Sequence, residues 1–243
     1  VIVYGRNPVR EALRGSRSEQ VRDVWATAGA AREDWLAGRE LRIASAAEIE
    51  ERCGSQAHQG VCADAGSYHY APAERLLARE RPLIVVLDQV QDPQNLGSIA
   101  RTAECAGADG LVIAERRSAE VTPAVCKASA GAVEHLALAR VRNVADFIIE
   151  ARDAGCWSYG AALPSGAERA PVPYDRPDYS DSGVLLVLGS EGHGLRPRVA
   201  AACDELIALP MRGRLQSLGV SAAAAALLYE ILQDRAAKLD NAT

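Results

Sequence analysis

From residue 83 onward the chain repeats one pattern: a short unbroken apolar run, a segment of helix length, then another run. The runs are residues 83–87, 110–114, 136–141, 157–163, 184–188 and 206–209. A strand that is apolar at every position has no solvent face, so both sides of its sheet must be covered. Helices predicted at residues 97–106, 123–130, 144–154 and 221–239 supply that cover. A mainly parallel sheet of the α/β class is therefore the expected architecture. Residues 164–183, rich in Pro, Gly, Asp and Ser, are predicted to form a long loop.

The first 71 residues read differently. Strands are predicted at 1–4, 21–26 and 42–43, with a last one fed by the turn His58-Gln59-Gly60. Helices are predicted after Asn7-Pro8 as far as Gly15, over 30–38, and over 46–53. This alternation indicates a small α/β unit. Residues 72–82, charged and bounded by Pro72 and Pro82, read as a partly helical linker. The expected organisation is thus 1–71, a linker at 72–82, and a larger domain at 83–243.

Composition narrows the function. The chain has 243 residues, 49% hydrophobic and 24% charged, which is the balance of a soluble globular protein. No apolar run is long enough to span a bilayer, so no membrane partner is expected. The N-terminus has no export pattern, and Met211 is the single methionine, so the natural start is expected to have been trimmed. Six cysteines without a C-x-x-C pair argue against a zinc site or disulfide framework and for a cytoplasmic location. The net charge of −5 excludes a protein that grips nucleic acid with its whole surface. A polyanion must meet a local patch, for which Arg6, Arg10, Arg14, Arg17 and Arg22 are one candidate. Arg196, Arg198, Arg212 and Arg214 are another; a solvated face is the plainer reading of each.

Three stretches carry chemistry. In residues 88–113 a buried strand ends in Asp88, Gln89, Gln91, Asp92, Gln94 and Asn95, at the sheet edge where open α/β folds bind ligands. Asn95 either caps the next helix or presents its amide, and Arg101 follows one turn further along. In residues 186–195 a second strand runs into Gly189-Ser190-Glu191-Gly192-His193-Gly194, which permits tight bending and close ligand approach. Glu191 braces that loop or meets a ligand, whereas His193 reads as incidental. In residues 209–232 a basic loop leads to Ser217-Leu218-Gly219-Val220-Ser221 and an Ala-rich helix, with Ser217 or Ser221 as its cap. Dinucleotide, P-loop and nucleophile-elbow signatures are absent.

Together, in order and spacing, these stretches resemble the motifs of the SpoU branch of the SPOUT superfamily, TrmH-like RNA ribose 2′-O-methyltransferases. The opening VYGRNPVREAL with the later HQGV is similar to the RNA-binding domain of the subgroup acting on large-subunit rRNA guanosine. The resemblance implies a C-terminal trefoil knot, S-adenosylmethionine as cofactor, RNA as partner, and a homodimer through the C-terminal helices. By motif position it places Gly189, Leu209 and Leu218 against the cofactor and Asn95, Arg101, Glu191 and Ser217 around the reaction. Arg101 matches the family's proposed base, although gripping a phosphate suits an arginine equally. One position departs: the family's Ser-Leu-Asn-Val-Ser reads Ser-Leu-Gly-Val-Ser here, with Gly219 in place of the amide. That substitution keeps a second reading open, an RNA-binding or ribosome-assembly factor of the same fold with weakened catalysis. A third, an unrelated nucleotide-binding α/β enzyme, is disfavoured by the missing phosphate loop.

Overall fold

The computed structural model describes residues 1–163, 169–215 and 217–240, with the side chains of 239 and 240 outside the description. Residues 1–64 hold strands β1 (Ile2–Tyr4), β2 (Val24–Ala26), β3 (Arg42–Ile43) and β4 (Val61–Asp64), in the order β1-β4-β2-β3. The β1–β4 and β2–β4 pairs are antiparallel, and β2–β3 is parallel. Helix α1 (Arg6–Ala12) begins earlier than its sequence suggested. Gly5, at φ 95, occupies the cap position, so Asn7 lies inside the first turn and caps nothing. Helix α2 (Ala46–Cys53) matches expectation: Ser45 and Glu48 form a reciprocal capping box, and Gly54 ends it in the left-handed region. The helix expected over 30–38 is instead two 3-10 turns, Ala30–Arg32 and Asp34–Leu36, because Glu33 between them is extended.

The larger sheet contains β5 (Leu83–Asp88), β6 (Gly110–Ala114), β7 (Leu138–Val141), β8 (Cys156–Ala161), β9 (Val172–Pro173), β10 (Gly183–Gly189) and β11 (Glu205–Ala208). Its order is β7-β6-β5-β10-β8-β11-β9, and every pairing is parallel. Helices α4 (Pro93–Cys105), α5 (Pro123–Ala128), α6 (Val144–Asp153), α7 (Pro197–Ala202) and α8 (Val220–Asp240) accompany it. Leu83, Val85 and Leu87 of β5 face one core shared with α4 and α8. Ile84 and Val86 face a second core shared with α6 and α7. The period of two thus explains why an all-apolar strand was the right signal for a sheet buried on both faces.

Two small elements escaped sequence reading. Helix α7 has only six residues, and β9 has two within the segment expected to be loop; residues 164–168 of that segment lie outside the described residues. Among the described residues no helix is long and apolar enough to cross a membrane.

The two sheets belong to units that are packed together. The intervening α3 (Ala73–Leu77) buries Leu76 against β6, where Gly110 leaves room: a Cβ there would lie 2.5 Å from the leucine methyl. Arg17 is 2% exposed and its guanidinium pairs with the fully buried carboxylate of Glu134, Nε donating at 3.0 Å. His135 meets Glu11 at 2.9 Å, Lys127 Nζ donates to the Ala57 carbonyl at 2.9 Å, and Tyr68 donates to the Val133 carbonyl at 3.0 Å. Arg17 is therefore no part of a surface basic patch. Arg6 and Arg10 are also engaged, by Glu33 and Glu11.

Candidate functional site

Parallel pairing in register brings the carboxyl ends of β5 and β10 side by side, with Asp88 opposite Gly189. Asp88 is fully buried and satisfied by one residue from the far side: Arg196 donates its backbone N–H at 3.0 Å, Nε at 2.8 Å and Nη2 at 2.7 Å. A buried carboxylate needs such compensation. The pair ties the loop after β10 to the end of β5, 108 residues away. Sequence reading noted both residues but had no local signal for their partnership.

The loop after β10 is a tight closure. Ser190 and Gly194 exchange backbone hydrogen bonds at 3.1 and 2.9 Å, and Gly192 and Gly194 take φ of 82 and 64. A Cβ on Gly189 would fall 2.1 Å from the Gly194 carbonyl carbon, so only glycine fits there. Glu191 stands exposed at the tip.

The loop after β5 leads directly into α4, which starts at Pro93, four residues before the predicted start. Asp92 is the cap, accepting the Gln94 N–H at 2.9 Å with Pro93 in the first turn. Asn95 is thus not a cap but a residue of the first turn whose amide reaches outward to other loops. Its Nδ2 donates to Glu191 Oε1 at 2.9 Å and to Asp92 Oδ2 at 3.3 Å.

The third stretch closes the site. Helix α8 starts at Val220, and Ser217 accepts the Gly219 N–H at 3.1 Å in a local turn rather than capping the helix. Gly219 sits at φ 80, and among the described residues a Cβ there would meet only Glu191 Oε1, at 3.9 Å.

A cleft of about 160 Å³ runs between these loops. Gly189, Leu209, Leu218, Ser217, Glu191 and Gly219 line it, with Leu188, Ile207, Val220 and Leu227 as further apolar wall. On the other side of the Ser190–Glu191 turn lies a wider cavity of about 830 Å³, lined by residues that include Gln89, Asn95, Glu191 and His193. Six of the seven residues singled out in the sequence therefore line one of two adjoining spaces that share Glu191. Arg101 does not. It is exposed on α4 and borders neither space. Six residues of helix turn it about 240° from Asn95 around the axis, so the two do not share a face. His193, incidental by its sequence context, lines the wider cavity.

Two buried thiols outside both spaces are suited to a structural role. Desolvation raises Cys203 to about 12 and Cys126 to about 11.

Comparison with known proteins identifies the family. Residues 82–229 match the model of the SpoU rRNA Methylase family. Residues 2–71 match the model described as RNA 2′-O ribose methyltransferase substrate binding. YacO of Bacillus subtilis (strain 168), assigned to the TrmH family of tRNA/rRNA methyltransferases, is 35% identical over 250 residues, covering 96% of this chain and 95% of the relative. Among solved structures, the SpoU methyltransferase AviRb of Streptomyces viridochromogenes in complex with AdoMet superposes with TM-score 0.78 at 28% identity. That match covers 97% of this chain and 90% of the other. The AdoMet-bound rRNA methyltransferase of Sinorhizobium meliloti gives TM-score 0.79 at 27% identity, covering 96% and 86%. A polar loop at the end of β5, a glycine-closed loop at the end of β10, an apolar cleft walled by the start of α8, and a family match over most of the chain make one conclusion: this protein belongs to the SpoU rRNA methylase family.

Proposed function

We propose that this chain methylates a ribose 2′-hydroxyl of RNA, with S-adenosylmethionine as donor and a guanosine of large-subunit rRNA as target. The observation that carries the reading is the hydrogen bond from Asn95 to Glu191 at the rim of a cleft also bordered by Ser217 and Leu218. It joins the first and second stretches beside the third.

The cleft suits the cofactor. Its walls are largely apolar, as an adenine ring requires, while the half-buried backbone of Gly189 and Ser190 offers polar groups at the strand end. Gly189, Leu209 and Leu218 would hold it, and when bound it supplies an electrophilic methyl group. The chain's own task is to orient and deprotonate the hydroxyl, which is a poor nucleophile at neutral pH. The Asn95 amide, fixed by Glu191 and Asp92, orients polar atoms at the rim; Ser217 contributes a hydroxyl to the cleft lining. Arg101, exposed and away from both spaces in one protomer, is suited to holding a backbone phosphate.

Three further features belong to the same proposal. The trefoil knot fits a terminal helix held beneath a strap: Arg235 donates to the carbonyls of Tyr179 and Ser182, and Asp234 accepts the Tyr179 N–H. The homodimer fits the exposed Tyr229 and Leu232 on α8. A cytoplasmic location fits cysteines that are all unpaired.

Comparing ribose methylation across rRNA from cells with and without the gene tests the assignment. Loss of one 2′-O-methylguanosine in large-subunit rRNA is expected. Identical methylation in both strains would contradict it.

Gly219 favours the second reading, an assembly factor of the same fold, because among the described residues Asn95 is then the one side-chain amide bonded to Glu191. The assays below separate the two.

A further inference from the structure

The wider cavity carries information that the cofactor cleft does not. Two residues with a Cβ, Gln89 at φ 61 and Arg117 at φ 58, hold left-handed backbone and both line it. Such conformations are costly for residues other than glycine and gather where a binding site needs a side chain aimed in one direction. The cavity's frame is fixed independently by the buried Asp88–Arg196 pair.

Its chemistry points to one class of ligand. Gln89 and Gln91 present amides, each both donor and acceptor, and Asn95 adds its amide oxygen, a pattern that reads base edges. Arg117 is exposed and makes no ion pair among the described residues, so its charge is available to a phosphate. Arg196, by contrast, is spent on Asp88. At about 830 Å³ the space falls within the range of small-ligand clefts, too small for a helical stem of RNA. A nucleotide entering it must therefore leave its stack.

We propose that this cavity receives a single unpaired ribonucleotide of the RNA substrate, its phosphate on Arg117 and its base edge against Gln89 and Gln91. The proposal rests on the RNA methyltransferase reading and adds to it the residues that take the target nucleotide. Glu191, shared by both spaces, then stands at the border between nucleotide and cofactor.

The test uses the full chain and rRNA purified from cells lacking the gene. RNA affinity is read by filter retention across a salt series, and S-adenosylmethionine affinity by calorimetry. Glycine adopts left-handed φ without strain, so Arg117→Gly and Gln89→Gly remove side chains while easing the backbone. Arg117→Gly is expected to weaken RNA binding about tenfold and to lower the slope of log affinity against log salt by about 0.7, the signature of one lost phosphate contact on a single strand. Gln89→Gly is expected to weaken binding severalfold with the slope unchanged. Cofactor affinity is expected to stay within about twofold of wild type in both.

Unchanged RNA affinity and slope in both variants would overturn the proposal. So would a tenfold loss of cofactor affinity in Arg117→Gly, which would give the cavity to the cofactor. Release of RNA by micromolar free guanosine monophosphate would also overturn it, because the site would then belong to a free nucleotide. If wild type transfers no methyl group, the methyltransferase reading fails, yet the retention assay still decides the cavity.

Discussion

Asn95 and Glu191, 96 residues apart, meet through a 2.9 Å hydrogen bond in which the amide donates to the carboxylate. Because the contact is solvent-exposed, it adds little stability; its value is orientation. Glu191→Gln keeps an acceptor and is expected to retain methyl transfer within about threefold, whereas Glu191→Ala lowers it about tenfold or more. Single-turnover rates with labelled cofactor distinguish them. Equal losses in both would show that the charge itself is required.

Gly219 has left-handed backbone and open space beside it. Asparagine tolerates that conformation better than any other residue with a Cβ, so Gly219→Asn is expected to cost no more than about 1 kcal/mol. A β-branched Gly219→Val should cost clearly more. Thermal unfolding checks both. Wild type is expected to transfer methyl groups; a silent wild type with transfer appearing only in Gly219→Asn would favour the assembly-factor reading.

The Arg17–Glu134 pair is buried where the N-terminal unit meets the larger one. Arg17→Ala leaves an uncompensated carboxylate and is expected to destabilise by about 3–5 kcal/mol. Replacing both by apolar residues, Arg17→Met with Glu134→Leu, should recover most of that loss. Denaturant unfolding of the single and double variants measures it, and a double variant as unstable as the single would contradict the assignment.

Burial holds the Cys126 thiol at about 11 against an ordinary value of 9. A folded pKa raised above the unfolded one stabilises at low pH, and that contribution fades as pH rises from about 9 through 11. In native protein at pH 8, iodoacetamide should label the exposed Cys105 and leave Cys126 and Cys203 untouched. Peptide mapping reads the sites; prompt labelling of Cys126 would contradict its burial.

The sheet was legible in the sequence because β6, β10 and all of β5 before Asp88 carry no polar side chain, a pattern dictated by cover on both faces. The site loops were legible because glycines and polar residues cluster at the ends of those strands. What was hidden is long-range. Arg17 looked like one of a basic series until its partner, 117 residues away, was in view. Asp88 and Arg196 gave no hint of each other for the same reason. The start of α4 was missed although Asp92-Pro93 is a good cap and first-turn pair, since the polar residues around it read as a turn. Arg101 enters the site by motif position alone: six residues of helix turn it away from Asn95, and it borders neither space in one protomer.

The most direct test of ribose methylation is the chemical form of the product. The chain is incubated with methyl-labelled S-adenosylmethionine and rRNA from cells lacking the gene, and the RNA is then hydrolysed in alkali. Alkali cleaves a phosphodiester only through a free neighbouring 2′-hydroxyl, so a methylated ribose leaves a resistant dinucleotide. The expected result is label in one alkali-resistant dinucleotide beginning with guanosine. Label confined to mononucleotides, or no label at all, would contradict it.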